Sequence, residues 1–317
     1  MAEYNKIPLV VIAGPTASGK TKLAVDICKK LNGEVVSADS MQIYKGMNIA
    51  TAKPTLDEMH GIKHHMIDFL ETDKKYSVAQ YCEQATKCIE KIHQKGKLPV
   101  LAGGTGLYIN SLVENIQFVE SKTDYSLREK LREKADSQGA QVLLDELDKI
   151  DKETARNLHP NNLGRIIRAL EIYYTTGITM SEQLEKSRRH PSPYNVCMLF
   201  LTFKDRQVLY DRINKRVDIM LEKGLVEEAR GFIQLSSKNT ARQAIGYKEL
   251  VPYFNDGASL EDCTEKLKRE TRRYAKRQLT WFNRNPDMKK IYVDEMTEYD
   301  YKEILDESIE VILKTLN

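Results

Sequence analysis

The segment Gly14-Pro15-Thr16-Ala17-Ser18-Gly19-Lys20-Thr21 sits between the apolar run Leu9 to Ala13 and a stretch in which Leu23, Ala24, Ile27, Cys28 and Leu31 recur at helical spacing. A buried strand must deliver such a loop and an amphipathic helix must leave it. Only that order turns the loop's backbone N–H groups toward one point at a helix N-terminus. The pattern therefore predicts a phosphate or diphosphate cradle made of all eight residues. Lys20 is placed to bridge outer phosphate oxygens, and the Thr21 hydroxyl to reach a Mg²⁺ ion that shares them. Gly33 is the expected stop of the helix.

Strand and helix continue to alternate over the first hundred residues, which predicts an α/β fold with a mostly parallel sheet. A short strand at Glu34 to Ala38 ends at Asp39-Ser40. Ser77 then caps a helix whose apolar stripe is Val78, Tyr81, Ala85, Cys88 and Ile92, Gly96 ends it, and Leu98 to Ala102 resumes a strand. That strand runs into Gly103-Gly104-Thr105-Gly106, where a standard ATPase would carry an acidic residue. From about Val119 to Pro191 the pattern is helical throughout, with an expected capping box at Ser126 to Glu129 and a helix from Leu163 to Tyr174 stopped by Gly177. This reads as an all-helical domain, residues 119–190, inserted into a core of residues 1–118 and 191–317. Val196 to Phe203 returns to the sheet, and the remainder reads as mostly helical.

With 317 residues, 41% of them hydrophobic and 30% charged, the chain has the composition of an ordinary soluble globular protein. No apolar run reaches the length of a membrane span and Leu9 to Ala13 is too short for a signal-peptide core, so a cytoplasmic location without membrane partners is the expectation. Five scattered cysteines without a close pair read as reduced thiols, and His64-His65 lack ligand-spaced neighbours. The net charge is only +3, but Glu265 to Lys290 carries ten Lys/Arg against three acids, and Asp294 to Glu310 carries eight acids against one Lys. The first segment suggests a surface for a polyanion, the second a solvated acidic helix.

Several residues stand where chemistry is expected. Asp39 follows a parallel strand, at the edge of an open α/β sheet where ligands bind; it can hold a substrate hydroxyl, ligate Mg²⁺ through water, act as general base, or simply cap a turn. The glycines around Thr105 allow backbone to approach a ligand, and Thr105 offers a hydroxyl to the same pocket or caps the next helix. Arg165 and Arg168 lie three apart on one helix and Arg128 early in another, each a cation for an anionic substrate or for solvent. Arg269, Arg272, Arg273, Lys276 and Arg277 recur on one helical face, while Leu267, Tyr274 and Trp281 recur every seven residues on another, which predicts one face on the core and one toward phosphates.

Taken together, GPTASGKT (residues 14–21), SADSMQIYKGMNIATAKP (37–54), GGTGLY (103–108), GRIIRALE (164–171), RQAIGYKE (242–249) and TRRYAKRQLTWF (271–282) resemble the bacterial tRNA dimethylallyltransferases, in the family's order over almost the whole chain. The resemblance implies a P-loop NTPase-like core that binds dimethylallyl diphosphate with Mg²⁺ rather than a nucleoside triphosphate. The acceptor it implies is N6 of adenosine 37 in the anticodon stem-loop of tRNAs that read codons beginning with U. It implies a catalytic role for Asp39 as the base, with Thr105 and Arg128 close to the reaction centre. It further implies a tRNA surface made of Asp39, Ser40, Met41 and Gln42, of Gly164, Arg165, Ile166, Ile167 and Arg168, of Arg242, Gln243, Ala244, Ile245, Gly246, Tyr247 and Lys248, and of Arg272 and Arg273. A monomer is the expected state. Two other readings use the same cradle: a dimethylallyltransferase acting on free adenine nucleotides, which would not need the insertion or the basic helix, and a small-molecule P-loop kinase.

Overall fold

The protein is described by a computed structural model covering residues 6–118, 123–234, 240–294 and 298–316. Six parallel strands form one sheet in the order β3-β2-β4-β1-β5-β6: β1 Ile7–Ala13, β2 Gly33–Ser37, β3 His64–His65, β4 Leu98–Gly103, β5 Tyr194–Thr202 and β6 Lys289–Tyr292. Strand β1 is apolar without alternation because both its faces are covered. Leu9, Val11 and Ala13 pack with Tyr81, Ala85, Ile89 and Phe282 on one side. Val10 and Ile12 pack with Leu23, Ile27, Leu209 and Ile213 on the other.

Sequence periodicity misses the two edge strands. Strand β3 is two residues long, and β6 begins with two exposed lysines, so neither carries an apolar run. Gly33 is the first residue of β2 rather than a helix stop: the helix Lys20–Lys30 is turned by Asn32, whose φ is 51°. In the helix Val78–Gln94 the buried stripe runs through Ile89, and Cys88 is only half-buried.

The chain divides into two compact units, residues 1–113 with 193–317, and residues 114–192. The boundary anticipated at Val119 falls outside the described residues, as do Glu295 to Thr297 of the acidic segment. In the second unit, helices Tyr125–Gln138, Ala140–Ile150 and Leu163–Thr176 enclose Leu131, Leu143, Leu147, Ile166, Ile167 and Leu170. The first of these is capped by Asp124, whose Oδ1 accepts from the Leu127 N–H at 2.9 Å, so Ser126 lies inside the helix instead of capping it. The first unit has a satellite core beyond the sheet, where Ile43, Tyr44 and Met47 meet Val217, Leu225, Tyr247 and Leu267.

The C-terminal ends of β2 and β4 are tied backbone to backbone. The Ala38 N–H donates to Ala102 O at 2.8 Å and the Thr105 N–H to Ala38 O at 3.0 Å. A Cβ on Gly103 would stand 2.2 Å from Ala38 O, an atom held by two hydrogen-bonded strands. Gly103→Ala should therefore destabilise the protein by about 1–3 kcal/mol through overpacking, read as a lower urea midpoint at unchanged slope.

Candidate active site

Three turns meet at the C-terminal edge of the sheet: the cradle after β1, Asp39 after β2 and the glycines Gly103 and Gly104 where β4 ends. They open on a cavity of about 780 Å³ whose walls also include Arg216, Ile245, Tyr274 and Gln278. Open α/β sheets bind ligands at this edge.

The cradle has the backbone an anion site requires. Ala17 and Gly19 have φ of 64° and 90°, left-handed values that turn successive N–H groups inward, and the helix Lys20–Lys30 starts at the same point. The Lys20 ammonium donates to Pro15 O at 2.6 Å. Burial, with the positive charge of Arg216 adding to it, pushes Lys20 down to about 7, and only Asp39 opposes that fall. Burial likewise lowers Arg216. Two desolvated cations that repel each other and share Asp39 as an anionic neighbour make a cavity that stabilises an incoming anion.

Arg216 belongs to no motif singled out by sequence. Its signal was available: in the helix Arg206–Glu222 the stripe Leu209, Ile213, Val217 faces the core, and Arg216 stands beside it one turn after Ile213.

Asp39 is held on both sides. Its Oδ1 accepts from the Met41 and Gln42 N–H groups at 2.8 and 3.2 Å, so the turn-capping reading holds for that oxygen. Thr105 braces the residues flanking it, through the Thr105 N–H to Ala38 O and through Oγ1, which accepts from the Ser40 N–H at 3.0 Å. The Tyr274 phenol, raised by burial and by the Asp39 charge, remains protonated beside Asp39 and Thr105.

The glycines after β4 serve protein packing more than ligand approach. A Cβ on Gly104 would be 2.2 Å from Gln278 Nε2, and one on Gly106 2.3 Å from the Trp281 ring. Gln278 in turn clamps two turns at once: its Nε2 donates to Gly104 O at 2.9 Å and its Oε1 accepts from the Thr16 N–H at 3.0 Å. The basic helix Leu260–Phe282 thus faces the core through Cys263, Leu267, Ala275, Gln278 and Phe282. The seven-residue stripe expected there turns by only about 40° over its length and meets the core at both ends: Leu267 is in the satellite core and half-buried Trp281 packs against the sheet core, with Nε1 3.4 Å from Asn110 Oδ1, while Tyr274 between them lines the cavity. Of the helix's arginines, Arg272 donates to Asn214 Oδ1 at 2.6 Å and exposed Arg273 pairs with Glu270 at 2.6 Å.

Glu228, also outside every motif, fixes the loop that forms another wall. Its carboxylate accepts from the Asn48, Ile49 and Ala50 N–H groups at 2.8, 2.8 and 2.9 Å and from the Tyr247 hydroxyl at 2.8 Å. Gln42 Nε2 donates to Thr51 O and Ala52 O, both at 3.2 Å. Gly246, at φ 109°, lets the next segment pass so close to this loop that a Cβ would sit 2.9 Å from Ala50 Cβ.

The other expected contact residues divide by burial. Ser40, Met41, Gln42, Gln243, Ala244, Ile245 and Gly246 line the cavity. Tyr247 is buried and stacked on Phe232, so its ring serves packing; Lys248 is exposed and Arg242 half-buried. In the second unit Gly164 and Arg165 are exposed, whereas Ile166 and Ile167 are core residues whose side chains are closed to a ligand. There, fully buried Glu171 accepts from Arg128 Nε and Nη2 at 2.9 and 2.7 Å, from Arg168 Nη1 at 2.6 Å and from the Asp124 N–H at 2.9 Å. Burial alone would raise this carboxyl; the bonds from Arg128 and Arg168 outweigh it and hold it below the usual range. His65 is taken up by Glu34, which also binds Lys97.

The donor set beside the cradle suits Mg²⁺ shared with a bound phosphate: Thr21 and Asp39 both line the cavity, and a hydroxyl with a carboxylate matches an ion that keeps waters and phosphate oxygens as its other ligands.

Parallel-sheet topology, a glycine-rich turn after β1, an acid after β2 and no acid closing β4 define a P-loop NTPase-like α/β protein. Residues 42–285 match the IPP transferase family. The chain is 48% identical over 298 residues to a tRNA dimethylallyltransferase of Thermoanaerobacter sp. (strain X514), covering 93% of this chain and 94% of that protein. It is 48% identical over 309 residues to one of Acetivibrio thermocellus, covering 97% of each. Its structure is similar to that of a tRNA isopentenylpyrophosphate transferase from Bacillus halodurans, with a TM-score of 0.72, 43% identity and 98% of both chains covered. It is also similar to that of a eukaryotic dimethylallyltransferase acting on tRNA, with a TM-score of 0.81, 31% identity, and 97% of this chain and 80% of the other covered. The chain belongs to the IPP transferase family, that of the tRNA dimethylallyltransferases.

Two outcomes follow for the site. A bound diphosphate favours charged Lys20, so binding above pH 7 should take up a proton, and affinity should fall by up to about tenfold per pH unit as pH rises through the Lys20 value. Calorimetry of inorganic diphosphate in buffers of differing ionisation enthalpy measures this uptake, and Lys20→Arg should remove the lysine's share and leave only the ligand's own titration. Glu228→Ala leaves three adjacent N–H groups without their acceptor and should lower stability by about 1–3 kcal/mol, more than Tyr247→Phe, in urea unfolding.

Proposed function

We infer that this protein transfers the dimethylallyl group of dimethylallyl diphosphate to N6 of an adenosine in tRNA, at position 37 of tRNAs that read codons beginning with U, releasing diphosphate. The observation that carries this reading is that Lys20, Arg216 and Asp39 face one cavity, two cations for a leaving diphosphate and one carboxylate for the nucleophile.

An exocyclic adenine amine is a poor nucleophile because its lone pair is delocalised into the ring. As N6 bonds to C1 of the donor, the C1–O bond to diphosphate breaks and one N6 proton passes to Asp39, through the oxygen not engaged by Met41 and Gln42. The negative charge that grows on the departing oxygen falls to the cradle N–H groups, Lys20 and Arg216. Mg²⁺, held through Thr21, would supply Lewis-acid stabilisation of the same diphosphate charge. Thr105 is a positioning residue in this scheme, keeping Asp39 aimed from both flanks.

A kinase reading is less well served, since β4 runs Leu98–Gly103 without the strand-end acid that helps hold Mg²⁺ at a nucleoside triphosphate in P-loop NTPases. The tRNA surface is proposed to include Arg165, Lys248, Arg272 and Arg273, with the helical insertion gripping the anticodon stem-loop and Arg128 and Arg168 presented by their shared Glu171. The target base must leave its loop stack to reach the cavity, at a cost of a few kcal/mol.

The deciding experiment supplies labelled dimethylallyl diphosphate with an anticodon stem-loop RNA bearing three consecutive adenines, beside AMP and ATP. Label on the RNA alone is expected; label on AMP or ATP would make this a nucleotide prenyltransferase. In the same assay Asp39→Ala should lower single-turnover rates by about 10²-fold or more with RNA affinity retained, and a wild-type-like rate would remove Asp39 as the base.

A further inference from the structure

The ladder between β1 and β4 ends where Ala13 pairs with Gly103, and past it the strands part into the cradle and into the turn that flanks Asp39. One side chain bridges the gap. Gln278 Oε1 accepts from the Thr16 N–H at 3.0 Å, and Gln278 Nε2 donates to Gly104 O at 2.9 Å. The two partners fix which way round the amide sits, since an N–H can only donate and a carbonyl oxygen only accept. Gln278 is 6% exposed, and a Cβ on Gly104 would stand 2.2 Å from its Nε2. The helix that carries it is fixed on both sides of it. Ala275, one turn before, packs in the core layer of Leu23 and Leu209, and Phe282, one turn after, in that of Tyr81 and Phe200.

From Gly104 the bonds continue to the carboxylate. The next residue, Thr105, donates its N–H to Ala38 O at 3.0 Å and accepts from the Ser40 N–H at 3.0 Å, and Asp39 stands between those two residues. The cradle and Asp39 are therefore the two ends of one bonded path that runs through the Gln278 amide. Group transfer between two bound substrates depends on how far the held leaving group stands from the group that activates the nucleophile, and a misplacement of about 1 Å can cost about 10²-fold in rate.

We propose that Gln278 is a positioning residue of the transfer step. Acting through Thr16 and Gly104, it sets the separation between the cradle, which holds the leaving diphosphate, and Asp39, which takes the proton. The proposal rests on the prenyl-transfer reading above.

The test is single-turnover transfer to the stem-loop RNA with both substrates saturating, where the rate constant reports the bound complex and the amplitude reports the folded fraction. Gln278→Met keeps the length and removes both bonds; its rate constant is expected to fall by about tenfold or more, with the KM of each substrate within about twofold of wild type. Gln278→Glu separates bonding from packing. When protonated, its carboxyl donates to Gly104 O and accepts from the Thr16 N–H as the amide does; when ionised, it can only accept. Its rate constant relative to wild type at the same pH should approach one at low pH and fall by about tenfold as pH rises through the value of the new carboxyl, which burial raises. Gln278→Met should stay slow at every pH. General loss of stability would lower amplitudes and leave that ratio flat. A wild-type rate constant in folded Gln278→Met, or a ratio for Gln278→Glu that does not change with pH, would overturn the proposal, and the second result decides the matter where Gln278→Met fails to fold. Should the wild type transfer nothing to RNA, the function fails separately. Hydrogen exchange of the Met41 and Gln42 N–H groups, which Asp39 binds, then tests the path by itself: exchange faster in Gln278→Glu than in wild type at the same high pH sustains it, and equal exchange removes it.

Discussion

Parallel pairing of β2, β4 and β1 is the constraint on which the rest depends. Neighbouring parallel strands end at the same edge, so three separate turns of the chain are brought side by side there. Their closeness is tight enough to dictate residue type. Ala38 O occupies the space of a Gly103 side chain, and the Gln278 amide that of one on Gly104. The same contacts locate Asp39, because the backbone on either side of it is bonded to the turn after β4.

Charge is then arranged against that frame at a cost to the free protein. Lys20 and Arg216 are desolvated near one another, and burial lowers both, an arrangement that weakens the empty site and strengthens it once an anion arrives. Stability is recovered elsewhere, through fully bonded carboxylates. Glu228 accepts four hydrogen bonds and fixes the cavity wall; Glu171 accepts four and fixes two arginines of the insertion. The basic helix has a double office, joining the cradle to the β4 turn through Gln278 while carrying Tyr274 into the cavity.

How much of this was legible in the sequence depended on whether a signal was local. The cradle, the strands β1, β2, β4 and β5 and the helices capped by Ser77 and Gly177 are written in contiguous periodicity, capping residues and turn glycines. The edge strands β3 and β6 are too short and too exposed to leave such a pattern. Arg216 and Glu228 each look like one more charged residue on an amphipathic helix; what distinguishes them is the partner across the fold. The heptad Leu267, Tyr274, Trp281 does mark the inward side of its helix, but it does not tell the core, which Leu267 and Trp281 meet, from the cavity, which Tyr274 lines.

The α/β class, the glycine-rich cradle, Asp39 at a strand end and, through the combined motifs, the family are all encoded by residues close together in the chain and can be read without the fold. Which side chains close the cavity, why the glycines after β4 are required, and that the side chains of Ile166, Ile167 and Tyr247 are buried in the core come from the tertiary structure. Those outcomes depend on the register between helices and strands far apart in sequence, and a register has no local signature: Gln278 and Thr16 meet because a helix late in the chain packs against its first turn.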